Sequence, residues 1–168
     1  GVYGQRQADV QMIRVKIPGG ILTAEALTVL GDIAERYAPL KKGHITTREN
    51  IQLHHIPLPE CPEVLRLLST AGLTSREACG NTVRNVVGSP VAGVCPDEVF
   101  DPTPYLTAYV RFGVRHPITQ GFPRKFKTAF TGCDSHHTVA AAIGSFPGVN
   151  ETGSEMSQDR ITEREGGW

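Results

Sequence analysis

A mixed α and β fold is predicted by three observations: an apolar/cationic alternation near the start of the chain, a switch from that two-residue period to a helical one, and a return to alternation before a second helical stretch. Val10–Ile17 reads as a strand, with Ile13, Val15 and Ile17 on one face and Arg14 and Lys16 on the other. Pro18-Gly19-Gly20 breaks it. Thr23 suits a helix N-cap and Glu25 its first turn, and Ala26, Leu27, Leu30, Ile33, Ala34 and Tyr37 follow at helical spacing. Gly43 marks a turn, and residues 45–56 resume a strand-like pattern, with residues 50–56 the firmest strand. Pro62 fits the first turn of a second helix carrying Val64, Leu65, Leu67 and Leu68, which Gly72 should stop. This strand–helix–strand–helix order spans roughly residues 8–73.

A second region follows. Residues 81–87 can be strand or turn. Residues 89–104 carry four prolines and read as a long loop, of a length that is often functional. Asp101-Pro102 can start a helix bearing Tyr105, Leu106, Tyr109, Val110 and Val114, residues 117–123 form a turn region, and residues 124–131 read as a strand. Residues 139–143 are a short apolar run. Residues 147–168 show no period and little to bury, so a poorly ordered tail is expected there.

Bulk properties exclude more than they assert. Seventeen basic residues balance seventeen acidic ones. Residues 151–168 hold five acids and two bases, a net of −3, which leaves +3 on residues 1–150, a mild bias that suits an anionic ligand. No run is long enough to span a membrane as a helix, and these residues hold no basic-then-apolar pattern of a signal peptide. Four widely spaced cysteines (Cys61, Cys79, Cys95, Cys133) lack the density of a disulfide scaffold and favour a reducing, cytoplasmic setting. Aromatics make up only 7%, with no base-stacking motif, which argues against RNA binding. Cys133, His136 and His137 could bind zinc, but three candidates without a fourth make a weak site.

The most informative stretch is Gly43-His44-Ile45-Thr46-Thr47-Arg48-Glu49-Asn50-Ile51-Gln52-Leu53-His54-His55-Ile56. If it is extended throughout, His44, Thr46, Arg48, Asn50, Gln52 and His54 share one face, and every one of them can donate a hydrogen bond. A many-carboxylate ligand needs such a row, although a half-buried strand also turns a polar face to water. Lys125 and Lys127 form a second cationic pair, which alternation places opposite Arg124 and Phe126. An anion between the two lysines would relieve their repulsion; an edge strand protected by lysine explains them equally well.

Several segments, taken in order, resemble the sirohaem-dependent nitrite/sulfite reductase family: Arg14-Val15-Lys16-Ile17-Pro18-Gly19-Gly20, Thr46-Thr47-Arg48, residues 81–85 with Gly88-Ser89-Pro90, and Pro123-Arg124-Lys125-Phe126-Lys127. The likeness runs from about Tyr3 to Gly144. It implies an α+β class: a ferredoxin-like β-α-β half-domain (residues 1–75), then part of an α/β sirohaem-binding domain (residues 76–146), then the tail. It implies sirohaem and an adjacent [4Fe–4S] cluster as cofactors. It also implies six-electron reduction of nitrite to ammonia or sulfite to sulfide, with a ferredoxin or a reductase subunit as electron donor. Arg14, Arg84, Lys125 and Lys127 would hold the small inorganic anion. His44, Thr46, Thr47, Arg48, Gln52, His54 and Arg124 would contact sirohaem or its carboxylates. The family's Cys-x5-Cys and Cys-x3-Cys pairs have no counterpart among the four cysteines here, so the cluster's ligands should come from outside this chain. A non-catalytic tetrapyrrole-binding role is the competing reading. No nucleic-acid or membrane partner is expected.

Overall fold

The computed structural model describes residues 1–133. The expected residues 139–143, the tail, and His136 and His137 lie outside the described residues.

Residues 1–74 build a four-stranded antiparallel sheet from β1 (Val2–Gly4), β2 (Val10–Val15), β3 (Gly43–Ile45) and β4 (Ile51–Pro57), in the order β1-β2-β4-β3. Two helices, α1 (Ala24–Tyr37) and α2 (Cys61–Thr70), complete it. The α1 boundary follows from its cap: Thr23 Oγ1 accepts from the Ala26 N–H at 3.1 Å. At the end of α2 the Leu73 and Gly72 N–H groups return to the Leu68 and Ser69 carbonyls at 2.9 and 3.1 Å, with Gly72 at φ +70°, a left-handed helix stop. Ile13, Val15, Leu53 and Ile56 from the sheet meet Leu30, Ile33, Val64 and Leu68 from the helices in one core.

Three local readings are corrected. The long extended run is a hairpin: β3 and β4 pair with His44 opposite Gln52, and residues 46–50 turn the chain. Thr46 Oγ1 makes that turn by accepting from the Arg48 and Asn50 N–H groups at 3.3 and 3.1 Å, and Glu49 takes a positive φ of 56°. A bulge then interrupts β4, where His54 and His55 oppose Met12 alone and His55 sits at φ 61°. It shifts the alternation by one, so Ile56 enters the core and His55 does not. Lys16, read as part of an outward cationic face, is 2% exposed, and its Nζ donates to the Val83 carbonyl at 3.1 Å.

Lys16 is covered because the second region packs over that side of the sheet. Helix α3 (Thr103–Gly113) forms where the proline-initiated pattern predicts, with Asp101 Oδ1 accepting from the Thr103 N–H at 2.9 Å. Leu106 joins Val83, Val86 and Phe130 in a smaller core. The strand expected over residues 124–131 does not form. Two single parallel bridges occur instead, Val83 with Phe126 and Val87 with Ala129. They rest on Arg84 N–H to Phe126 O (2.9 Å), Val87 N–H to Thr128 O (3.0 Å) and Phe130 N–H to Val87 O (2.8 Å). The regions also meet where Gly19 N–H donates to Val86 O at 2.8 Å. There a Cβ on Gly88 would stand 3.1 Å from Gly19 Cα and 3.2 Å from its carbonyl oxygen. Among the described residues no helix is long and apolar enough to cross a membrane.

Candidate functional site

The sheet sets one side of the site. Arg14 on β2 stands opposite Gln52 on β4, which stands opposite His44 on β3, so three side chains form a row across three strands. With its amide oxygen turned toward Arg14, Gln52 accepts from Nε at 3.0 Å and Nη2 at 2.6 Å, and its amide nitrogen donates to His54 Nε2 at 3.2 Å. The His44 and His54 rings stack with centroids 5.8 Å apart. Burial lowers the His54 pKa, and the neighbouring His44, His55 and Arg14 lower it further. Gln5 secures the bulge, accepting from the His55 N–H at 2.6 Å while its Nε2 lies 3.3 Å from His54 Nδ1.

The second region sets the other side. Arg14 Nη1 donates to Cys79 Sγ at 3.0 Å. Arg84, five residues along from Cys79, is buried; its Nη1 donates to Gly80 O at 3.3 Å, and its Nε finds no partner among the described residues. Arg48 is turned inward from the β3–β4 loop, and its Nη1 donates to the Asn85 carbonyl at 3.4 Å. Asn85 is fully buried and donates to the carbonyls of Ile17 and Arg48 at 2.7 and 2.9 Å, stapling the loop to the second region.

The electrostatics tie the cations together. Burial and then Arg84 bring the Arg48 pKa down to about 10, with Glu49 opposing. Burial depresses Arg84, which Cys79 partly offsets and Arg14 reinforces. Lys127 is depressed by burial, then by Arg48, Arg84 and Lys125. Arg14, Arg48, Arg84, Lys125 and Lys127, from four separate stretches of sequence, are thus linked by mutual repulsion. Glu49 is the carboxylate that offsets this group, through Arg48. Such a cluster is unfavourable by itself and becomes favourable around an anion.

Not every anticipated residue joins it. Arg124 and Thr47 are exposed, and Arg124 is not among the groups that perturb Arg48, Arg84 or Lys127. Thr46 is occupied in the turn, and Asn50 is buried with Oδ1 lacking a partner among the described residues. Sequence reasoning missed Cys79, Asn85, Gln5 and Glu49. Each acts through a contact more than thirty residues distant, and the uncharged amide and thiol side chains carry no pattern that would announce them.

The donors suit a polyanion. Arg48 and Arg84 bring guanidinium groups, His44, Gln52 and His54 a row of further hydrogen-bonding groups, and Arg84 Nε has no partner among the described residues.

Two family descriptions match this chain: a nitrite/sulfite reductase ferredoxin-like half domain over residues 3–71, and a nitrite and sulphite reductase 4Fe-4S domain over residues 79–143. A sulfite reductase [ferredoxin] of Mycobacterium tuberculosis is 41% identical over 145 residues, 86% of this chain and 26% of the relative. A ferredoxin–nitrite reductase of Leptolyngbya laminosa is 42% identical over 147 residues, 83% of this chain and 29% of the relative. The solved structure of the M. tuberculosis NirA protein superposes with a TM-score of 0.72 at 41% identity, covering 78% of this chain and 24% of that one. A dissimilatory sulfite reductase I shares the fold at a TM-score of 0.63 and 17% identity. The chain therefore spans about a quarter of the length of the curated relatives it matches.

Proposed function

Because the chain belongs to the nitrite/sulfite reductase family, we propose that it forms the anion-binding and sirohaem-facing part of an enzyme that reduces nitrite to ammonia or sulfite to sulfide. The observation that carries this reading is the convergence of Arg14, Arg48, Arg84 and Lys127. Arg14, Arg84, Lys125 and Lys127 hold the substrate oxyanion. His44, Arg48, Gln52 and His54 contact sirohaem or its carboxylates; Thr46, Thr47 and Arg124, anticipated beside them, stand outside the cluster of cations. When bound, sirohaem and its partner [4Fe–4S] cluster supply iron and electrons. This chain's own groups supply charge, orientation and protons. Arg14 and Arg84 fork onto oxygen atoms through their planar guanidinium groups. The lowered pKa of Lys127 makes its Nζ proton easier to release as N–O or S–O bonds break. The relatives' names point to a ferredoxin as the electron donor.

Sirohaem binding and turnover are tested separately. Titration of the purified chain with sirohaem, followed by absorption, should show saturable binding, weakened about tenfold in Arg48→Ala, as expected for one charge-assisted hydrogen bond lost. With reduced methyl viologen the chain alone should make neither ammonia nor sulfide, because Cys61, Cys79, Cys95 and Cys133 lack the spacings of the cluster's ligands. Unchanged affinity in Arg48→Ala would overturn the site; turnover by the lone chain would overturn the division of labour.

A further inference from the structure

Cys95 and Cys133 lie outside the cationic site and are 38 residues apart in sequence, yet their sulfur atoms are 2.9 Å apart. Each is held in a defined frame. The Cys95 N–H donates to Val91 O at 3.0 Å, and its carbonyl accepts from Glu98 N–H at 3.2 Å, closing a turn around Pro96. The Cys133 N–H donates to Thr131 Oγ1 at 3.2 Å, and that hydroxyl donates back to the Cys133 carbonyl at 3.0 Å. A backbone bond from Val99 N–H to Gly132 O at 2.8 Å joins the two segments beside the pair. Cys133 is buried and Cys95 is partly exposed, so one sulfur can meet a reagent in solvent while the other waits behind it.

We propose that Cys95 and Cys133 are a dithiol/disulfide pair that takes a low-molecular-weight disulfide as its oxidant, covalently tying the loop after Gly88 to the segment that carries Lys125 and Lys127. Cys95 thiolate attacks one sulfur of the small disulfide, breaking its S–S bond and releasing one thiol. Cys133 then attacks the Cys95 sulfur of the mixed disulfide and releases the second. Two electrons pass from the protein sulfurs to the small disulfide, and the two protein thiol protons end on the released thiols. Asp97 lies close enough to both sulfurs to suggest a metal ion as the rival occupant. The direct sulfur–sulfur approach favours the bond. A zinc ion held at about 2.3 Å from each sulfur would hold them roughly 3.8 Å apart, whereas a disulfide draws them in to about 2.05 Å. The pairing is independent of the sirohaem reading.

The test uses the full chain, reduced and then equilibrated with oxidised glutathione. Titratable thiols should fall from four to two, the intact mass should drop by two hydrogens, and peptide mapping should join Cys95 to Cys133. Cys95→Ser, altered on the exposed side so that folding is spared, should lose the internal bond. A glutathione adduct on Cys95 that never resolves in the native chain would overturn the proposal. So would a bond joining other cysteines, or a stoichiometric zinc ion that protects both thiols from alkylation.

Discussion

Arg14 and Gln52 stand opposite each other because two strands are hydrogen-bonded in register, whereas Arg84 and Lys127 are neighbours although their segments share only isolated bridges. In residues 1–74 a regular sheet, backed by a core of two helices, decides where each side chain points. In residues 78–133 a smaller core and a few long-range hydrogen bonds to the first region do so: Lys16 to Val83, Asn85 to Ile17 and Arg48, Gly19 to Val86. The first arrangement spreads the constraint over a ladder. The second concentrates it on single buried groups, so one substitution can loosen half of the site.

The sharpest test of that asymmetry is Leu53→Ala. Leu53 is fully buried at the centre of the sheet core, and its truncation should cost about 3 kcal/mol in urea unfolding. If the second region leans on the first, hydrogen-exchange protection at the Arg84 and Val87 amides should fall together with that of β2 and β4. Protection retained at Arg84 and Val87 alone would show that the second region stands by itself. Asn85→Leu probes the opposite direction. It removes two donated hydrogen bonds and leaves two buried carbonyls to find other partners, a loss of about 2 kcal/mol. Protection should drop at residues 84–87 and 128–130 while the sheet amides keep theirs; equal losses in both regions would dissolve the distinction.

Glu49 sits at the junction, accepting from the Gly88 N–H at 3.0 Å. Burial raises its carboxyl pKa from 4.5 to about 7, against the pull of that hydrogen bond and of Arg48. A raised folded-state pKa means that the ionised form is disfavoured by folding. The penalty is absent below 4.5, grows as pH rises toward about 7, and is constant above. Glu49→Gln should therefore gain stability relative to the parent across that window, by about 1 kcal/mol once partial solvent exposure is discounted. Unfolding curves at acid and mildly alkaline pH with the same parent–variant gap would contradict it. The smallest effect is expected at Thr23→Ala, which removes the α1 cap and should cost roughly 0.7 kcal/mol without changing the exchange ranking of the two regions. A change in that ranking would mean that α1 does more than close the first core.

The same asymmetry governs what can be read from residues alone. Both helices of the first region, the Thr23 cap, the Gly72 stop and α3 are written in apolar spacing and end residues, because those signals act within a few positions of where they occur. The β3–β4 turn escaped because it contains no glycine; Thr46 builds it with a side-chain oxygen, and Glu49 takes the left-handed conformation. The bulge at His54-His55 escaped because nothing local marks an extra residue in a strand. Lys16 looked like a water-facing charge because its cover, Val83, lies 67 positions away. Among the residues of the cationic cluster, sequence spacing grouped only Lys125 with Lys127. Family resemblance named Arg14, Arg48 and Arg84 beside them, and their proximity in space is a product of the tertiary hydrogen bonds.

Gly19 and Gly88 bring two backbones together with no room for a methyl group. In mechanical terms this is a rivet between two plates. A side chain added at Gly88 would act as a wedge against the Gly19 backbone and tilt one plate against the other, whereas one added at Gly19 would press on Leu106 of the smaller core. Since Arg14 rides on the first plate and Arg84 on the second, the spacing of the two guanidinium groups is hostage to a joint made by two glycine backbones.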